Sequence, residues 1–171
     1  MATHEILLID VGLVPAEIGD WLNPGLGRIF GLACRSGQPL PHPSFACQGQ
    51  RRQYLADAIL DRVHPCDGAC ALAVADMDLY VRGLNFVFGL AENRKAIIAL
   101  PRLRQAYYRL PDDANLFKQR VLKEAIHELG HVFGLRHCGD RRCVMTFSNS
   151  LADTDAKSDN FCSRCQGQLH R

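Results

Sequence analysis

Eleven consecutive residues, 127–137, read HELGHVFGLRH and constrain this chain more tightly than any property of its composition. Histidines four positions apart on an α-helix lie about 40° apart around its axis, so His127 and His131 project from one face and can share a metal ion. Glu128 lies beside them, about 60° round from His131. A helix continued through residue 137 would carry His137 about 240° round from His131, away from any metal that pair shares. Gly134 resolves the conflict, because glycine enters the left-handed conformation at a helix end without steric cost and lets the chain fold His137 back.

Three neutral imidazoles, from His127, His131 and His137, hold zinc with one position open, which is the arrangement of a catalytic rather than a closed structural site. Zinc lowers the pKa of a bound water to ~7. Glu128 is then placed as the general base that takes the water's proton during attack on a peptide carbonyl and returns it to the leaving amine. The competing reading is surface or capping histidines on an ordinary amphipathic helix. At this chain's residue frequencies, all five specified positions arise by chance on the order of 10⁻⁴ times per chain or less. A purely structural site has no use for Glu128, which contributes nothing to ligation.

Directly after His137 come Cys138 and Cys143, and further on Cys162 and Cys165. Four thiolates in two short-spaced pairs match a tetrahedral structural zinc, the alternatives being two disulfides or buried free thiols. A metal here offsets the small apolar content of residues 135–171. Because Cys138 adjoins His137, fixing one holds the other. Met145 reads from spacing alone as a core filler. Cys34, Cys47, Cys66 and Cys70 form no ligand pattern, and buried free thiols is the preferred reading for them, with a clip of the 66–70 loop as the alternative.

At 171 residues the chain suits one domain with one core. Twenty basic and eighteen acidic side chains leave a net charge of +2, too little bias to argue for nucleic acid or an anionic membrane. Residues 1–5 lack the basic start of a secretory signal, and no stretch nears the ~18 apolar residues of a spanning helix. A cytoplasmic monomer is therefore expected, in a reducing setting that favours metal over disulfides; a hyperthermophilic cytosol would be the exception.

Hydrophobic patterning predicts strands at 6–9, 28–34, 71–75, 86–88 and 97–100, and helices at 15–22 and 50–63. Asn23, Pro24 and Gly25 are expected to break the chain, and residues 39–43 to form a loop. A longer helix runs from a cap at Asp112 to Phe133 and carries the first two histidines. Strands alternating with helices indicate an α/β fold with a mixed sheet. Asp76 and Asp78 mark the solvent end of one strand. His4, His42, His64 and His170 read as solvated, and the arginines at 102, 104, 109, 136, 141 and 142 as a solvated face, with recognition of an acidic substrate group as the alternative.

The motif H-E-x-x-H-x-x-G-x-x-H followed by a downstream methionine is the metzincin signature. Its fusion to Cys138, Cys143, Met145 and Cys162-x-x-Cys165 resembles specifically the archaemetzincins, over residues 127–165; upstream the likeness is loose, as in Arg51-x-Gln53-Tyr54. The resemblance implies a metzincin-like fold in which the active-site helix lies under a mixed sheet (residues 1–134) and a zinc-stabilised lower subdomain follows (residues 135–171). It implies Met145 as an apolar floor beneath the catalytic zinc, a second zinc on Cys138, Cys143, Cys162 and Cys165, and a zinc metallopeptidase acting on peptides or proteins. It also suggests an antiparallel edge strand that pairs with substrate backbone, for which residues 84–90 are the candidate and a plain surface strand the alternative. The rival function is a catalytically weak or inactive zinc-stabilised peptide-binding module. A zinc-ribbon nucleic-acid binder is disfavoured by the balanced charge. Aminopeptidase and endopeptidase action stay equally open.

Overall fold

The computed structural model of the chain describes residues 3–169; the expectations placed on residues 1 and 2 and on His170 lie outside them. In chain order the elements are β1 (Glu5–Val11), α1 (Glu17–Phe30), β2 (Ala33–Ser36), β3 (Cys47–Gln48), β4 (Gln53–Leu55), α2 (Ala56–Leu60), β5 (Ala69–Ala75), β6 (Leu79–Tyr80), β7 (Gly89–Glu92), β8 (Lys95–Ala99), α3 (Ala114–Val132), α4 (Leu151–Ala156) and α5 (Ser163–Gln168). The main sheet has the order β2-β1-β5-β8-β7, parallel except for the edge strand β7, which runs antiparallel to β8. A small second sheet joins β3, β4 and β6. The architecture is the expected mixed α/β arrangement.

All seven residues of β5 are buried because helices cover both faces of the sheet. The period of two sends Cys70, Leu72 and Val74 toward one core with α1 and α3, and Ala71, Ala73 and Ala75 toward another with α2. The first core continues into Cys138, Cys143, Val144, Met145 and Cys165, so the cysteine-rich segment packs directly against the active-site helix.

Several boundaries differ from the sequence reading, each because a tertiary contact outweighs a local signal. The helix expected to stop at residue 22 runs on to Phe30 through Pro24, since Ile18, Leu22, Leu26 and Phe30 form one fully covered stripe. Gly25 lies against α3, where a Cβ would come 2.5 Å from Leu122 Cδ1. Gly31, at φ 66°, ends the helix, so the next strand starts at Ala33 and not at 28. The helix predicted over 50–63 shrinks to α2, because Tyr54 and Leu55 pair with Leu79 and Tyr80 as β4. Residues 86–88 are not a strand: Val87 makes a single bridge to Leu79, while Phe86 and Phe88 pack edge to face, ring centroids 5.2 Å apart. The edge strand begins at Gly89 instead.

The active-site helix α3 starts one residue later than expected, with Asp113 as its cap; the Asp113 carboxylate accepts from the Leu116 N–H at 2.9 Å. Arg102 and Arg104 are not part of a solvated face. They form two-point pairs with Asp78 (2.6 and 2.8 Å) and Asp76 (2.6 and 2.9 Å), and Arg102 stacks on Phe86. No helix among the described residues is long and apolar enough to cross a membrane.

Candidate active site

The last turn of α3 and the chain that leaves it bring the three histidines together. Gly134, at φ 88°, reverses the chain. Its N–H donates to the His131 carbonyl at 3.0 Å and the Leu135 N–H donates to the Gly130 carbonyl at 2.9 Å, a Schellman closure. The same turn orients an imidazole, because the Leu135 carbonyl accepts from His131 Nδ1 at 2.8 Å. His127 Nδ1 donates in the same way to the Val144 carbonyl at 2.8 Å. His137 arrives over the pair, with ring centroids 5.3 Å from His127 and 4.9 Å from His131, and one nitrogen of each ring lies within 4.8 Å of the others.

These hydrogen bonds decide the chemistry of the facing atoms. A carbonyl only accepts, so both Nδ1 atoms carry protons, and in neutral imidazoles both Nε2 atoms are then lone-pair acceptors. They stand 3.2 Å apart. Two acceptors at that distance repel unless a cation lies between them. Burial, followed by the Lys157 ammonium, pushes the His127 pKa down to about 2. Burial likewise lowers His131 and His137, so all three rings are held in the neutral form that binds metal. The donor set fits zinc.

Glu128 is buried beside them. Burial first, and the Glu124 carboxylate second, raise its pKa well above the usual carboxylate range, with Lys157 opposing. Gly89 of β7 presses against it: a Cβ there would lie 2.5 Å from Glu128 Cγ. Met145 is fully buried under α3, and only a glycine at 130 leaves room for it, since a Cβ would come 2.4 Å from its sulfur.

A cleft of about 580 Å³ opens over these groups. One wall is the segment from Leu84 to Ala91, the other is Phe147, Ser148 and Asn149, and Glu124, Glu128 and the histidines line it as well. The candidate substrate segment, 84–90, therefore lines the cleft, although only Gly89 and Leu90 of it belong to the edge strand.

The sulfurs of Cys138, Cys143, Cys162 and Cys165 lie within 4.8 Å of one another and are unbonded, with Cys138 and Cys162 at 3.8 Å. Backbone N–H groups of Asp140 and Cys162 donate to Cys138 Sγ and Cys143 Sγ at 3.4 and 3.3 Å, and the Arg164 guanidinium donates to Cys138 Sγ at 3.1 Å. Burial raises the Cys138 thiol, but the Asp140 N–H, Arg164 and the neighbouring thiols together bring it down to about 7. That set suits a thiolate-bound zinc. Cys34, Cys47, Cys66 and Cys70 are free thiols that take no part in either cluster, but Cys47 and Cys66 are exposed and Cys34 half-buried, so only Cys70 is the buried thiol expected; burial pushes it up to about 12, which makes it inert.

Sequence reasoning missed Gly89, Glu124 and Lys157. Glu124 was within reach, since it precedes Glu128 by one turn on the same helix face. Lys157 carries no local signal. It is buried and pairs with Glu124, Nζ to Oε1 at 3.1 Å, from a segment that only the fold brings near.

Comparison with known proteins agrees with this geometry. Residues 46–171 match the model of peptidase family M54. The archaemetzincin of Pyrococcus abyssi is 41% identical, covering 97% of this chain and 94% of the relative; that of Methanocaldococcus jannaschii is 42% identical, covering 96% and 92%. Crystal structures of archaemetzincins from Methanopyrus kandleri (TM-score 0.83, 39% identity, 96% and 92% covered) and Archaeoglobus fulgidus (0.85, 34%, 96% and 99%) superpose on it, as does a zinc-dependent peptidase from Methanocorpusculum labreanum (0.84, 27%, 96% and 99%). The chain belongs to peptidase family M54 and is a zinc metallopeptidase of the archaemetzincin family.

Proposed function

We propose that the chain hydrolyses peptide bonds in the cleft between residues 84–91 and 147–149, with His127, His131 and His137 as ligands of a catalytic zinc and Glu128 as the general base. The observation that carries this reading is the pair of facing Nε2 acceptors at 3.2 Å next to a buried carboxylate that takes no part in holding them. Bound zinc supplies a Lewis acid that polarises the carbonyl and acidifies water. Val144 and Leu135 hold two rings in the correct tautomer, Glu128 accepts the attacking water's proton, and Glu128 then delivers that proton to the leaving nitrogen. Its raised pKa favours the first of these transfers, because a carboxylate that is costly to keep charged in a dry site takes up a proton readily.

A second zinc sits on Cys138, Cys143, Cys162 and Cys165 in this reading and stiffens the segment bearing His137, with Met145 as the floor beneath the histidines. The position of β7 at the sheet edge supports substrate pairing by added-strand hydrogen bonds. In this reading the chain acts as a monomer and as one domain over residues 1–171; the near-balanced charge supports engagement of neither nucleic acid nor anionic membrane, and the free thiols support a cytoplasmic setting. The test is Glu128→Gln: zinc content stays at the wild-type level while peptide cleavage falls at least about 10²-fold. Cleavage at the wild-type rate would remove Glu128 as the base.

A further inference from the structure

The cleft contains polar groups that the hydrolytic step does not use. Glu124 lies one turn before Glu128 on the same face of α3 and lines the cleft. Its Oε1 is occupied by Lys157 Nζ at 3.1 Å and by the Thr154 hydroxyl, which donates at 3.3 Å. Its Oε2 takes no hydrogen bond among the described residues. Lys157, 2% exposed, does not line the cleft, so the carboxylate is balanced from the protein interior. On the wall after Met145, Ser148 also lines the cleft, and its Oγ is buried without a partner. Apart from Asn85, Asn149, Glu128 and the histidines, the rest of the surround is apolar, with Leu84, Phe86, Phe88, Leu90 and Phe147.

We propose that Glu124 and Ser148 form the polar end of a subsite for one large substrate side chain beside the scissile bond, apolar along its length and bearing a neutral hydrogen-bond donor at its tip, which makes tyrosine the preferred residue. This rests on the cleft being a peptidase site. Lysine or arginine would bring a second cation to a carboxylate already neutralised by Lys157, close to a zinc that adds further positive charge. Aspartate or glutamate would set acceptor against acceptor. Phenylalanine would close Glu124 Oε2 off from water and leave Ser148 Oγ, buried already, without a partner, and sites built to bond a hydroxyl reject the analogue that lacks it.

The test gives zinc-loaded protein a peptide panel differing only at the two residues flanking the cleaved bond, with Tyr, Phe, Lys or Ala at each. Zinc-loaded Glu128→Ala protein is titrated with the same panel to read binding without turnover. Tyrosine is expected to exceed phenylalanine by about tenfold to a hundredfold at one of the two positions, in kcat/KM and in Kd. Ser148→Ala narrows that ratio. The double variant Glu124→Leu, Lys157→Met removes both charges together, leaves no unpaired buried ion, and reverses the preference toward phenylalanine. Turnover with Phe or Lys equal to Tyr overturns the subsite and leaves the peptidase reading standing. Tyrosine-selective binding with no turnover of any peptide does the opposite, and neither binding preference nor turnover overturns both. If the double variant fails to fold, the Ser148→Ala ratio decides.

Discussion

Gly89→Ala perturbs the proposed general base, Glu128, without altering it or any histidine. A Cβ at residue 89 would lie 2.5 Å from Glu128 Cγ, 2.7 Å from Oε1 and 2.8 Å from Cδ, whereas ordinary contact begins at 3.4 Å. The β7 backbone cannot retreat, because Gly89 is paired with Ile98 and the Phe88 carbonyl accepts from the Ala99 N–H at 2.8 Å. Glu128 Cγ must therefore give way by about 0.9 Å. A displacement near 1 Å at a reacting group costs on the order of 10²-fold in rate, and overpacking adds a stability loss of about 1–3 kcal/mol. The assay is kcat/KM on a cleaved peptide, with zinc content and the urea midpoint measured on the same samples. Gly19→Ala is the control, since a Cβ there meets nothing within 4 Å. A Gly89→Ala enzyme within twofold of wild type would refute the placement of Glu128, and so would a rate loss that merely follows zinc loss.

Lys157→Met leaves the buried Glu124 carboxylate unpaired and is expected to cost about 3–5 kcal/mol, while pairing it with Glu124→Leu restores most of that; equal losses in both variants, read by urea denaturation, would contradict a buried ion pair. His127→Ala and Cys162→Ser should each lower zinc content by one ion per chain and spare the other site, so a single variant that empties both would show one shared site. In metal-free protein, His127 binds its proton only near pH 2, against ~6.5 in the unfolded chain. Stability from His127 is thus fully present above pH ~6.5 and declines as pH falls toward 2, by up to ~1.4 kcal/mol per pH unit. Glu128, with its raised carboxyl, contributes the opposite slope above ~4.5, but the lowered His131 and His137 add to that of His127. Chelator-treated protein should lose urea resistance between pH 6.5 and 5.5; a flat profile would contradict neutral, buried imidazoles.

The histidine run was legible because helical geometry converts spacing into direction: His127 and His131 had to share a face, and Gly134 had to supply the left-handed turn observed at φ 88°. The cysteine tetrad was legible for a related reason, short spacings that only a tight turn satisfies. Strands β1, β5 and β8 were also readable, since buried parallel strands are continuous apolar runs. The breaks went wrong where local signals met packing. Pro24 forfeits one hydrogen bond inside α1, yet four buried side chains at fourfold spacing hold that helix together across it. Residues 50–63 show a helical pattern, but β4 gains backbone partners in β6 that the pattern does not encode.

Residue identity and spacing were thus sufficient for the proposed zinc chemistry: which residues are candidates to ligate, which carboxylate is the candidate base, and where the helix ends. Tertiary packing alone decided the surroundings that tune that chemistry. Gly89 reaches Glu128 from a sheet edge, Val144 fixes the His127 tautomer, and Lys157 enters the core from beyond α4 to balance Glu124. These contacts join residues 17 to 39 positions apart, and no periodicity or propensity reports across such a gap; side chains meet there because the apolar core closes and buried polar groups must find partners within it.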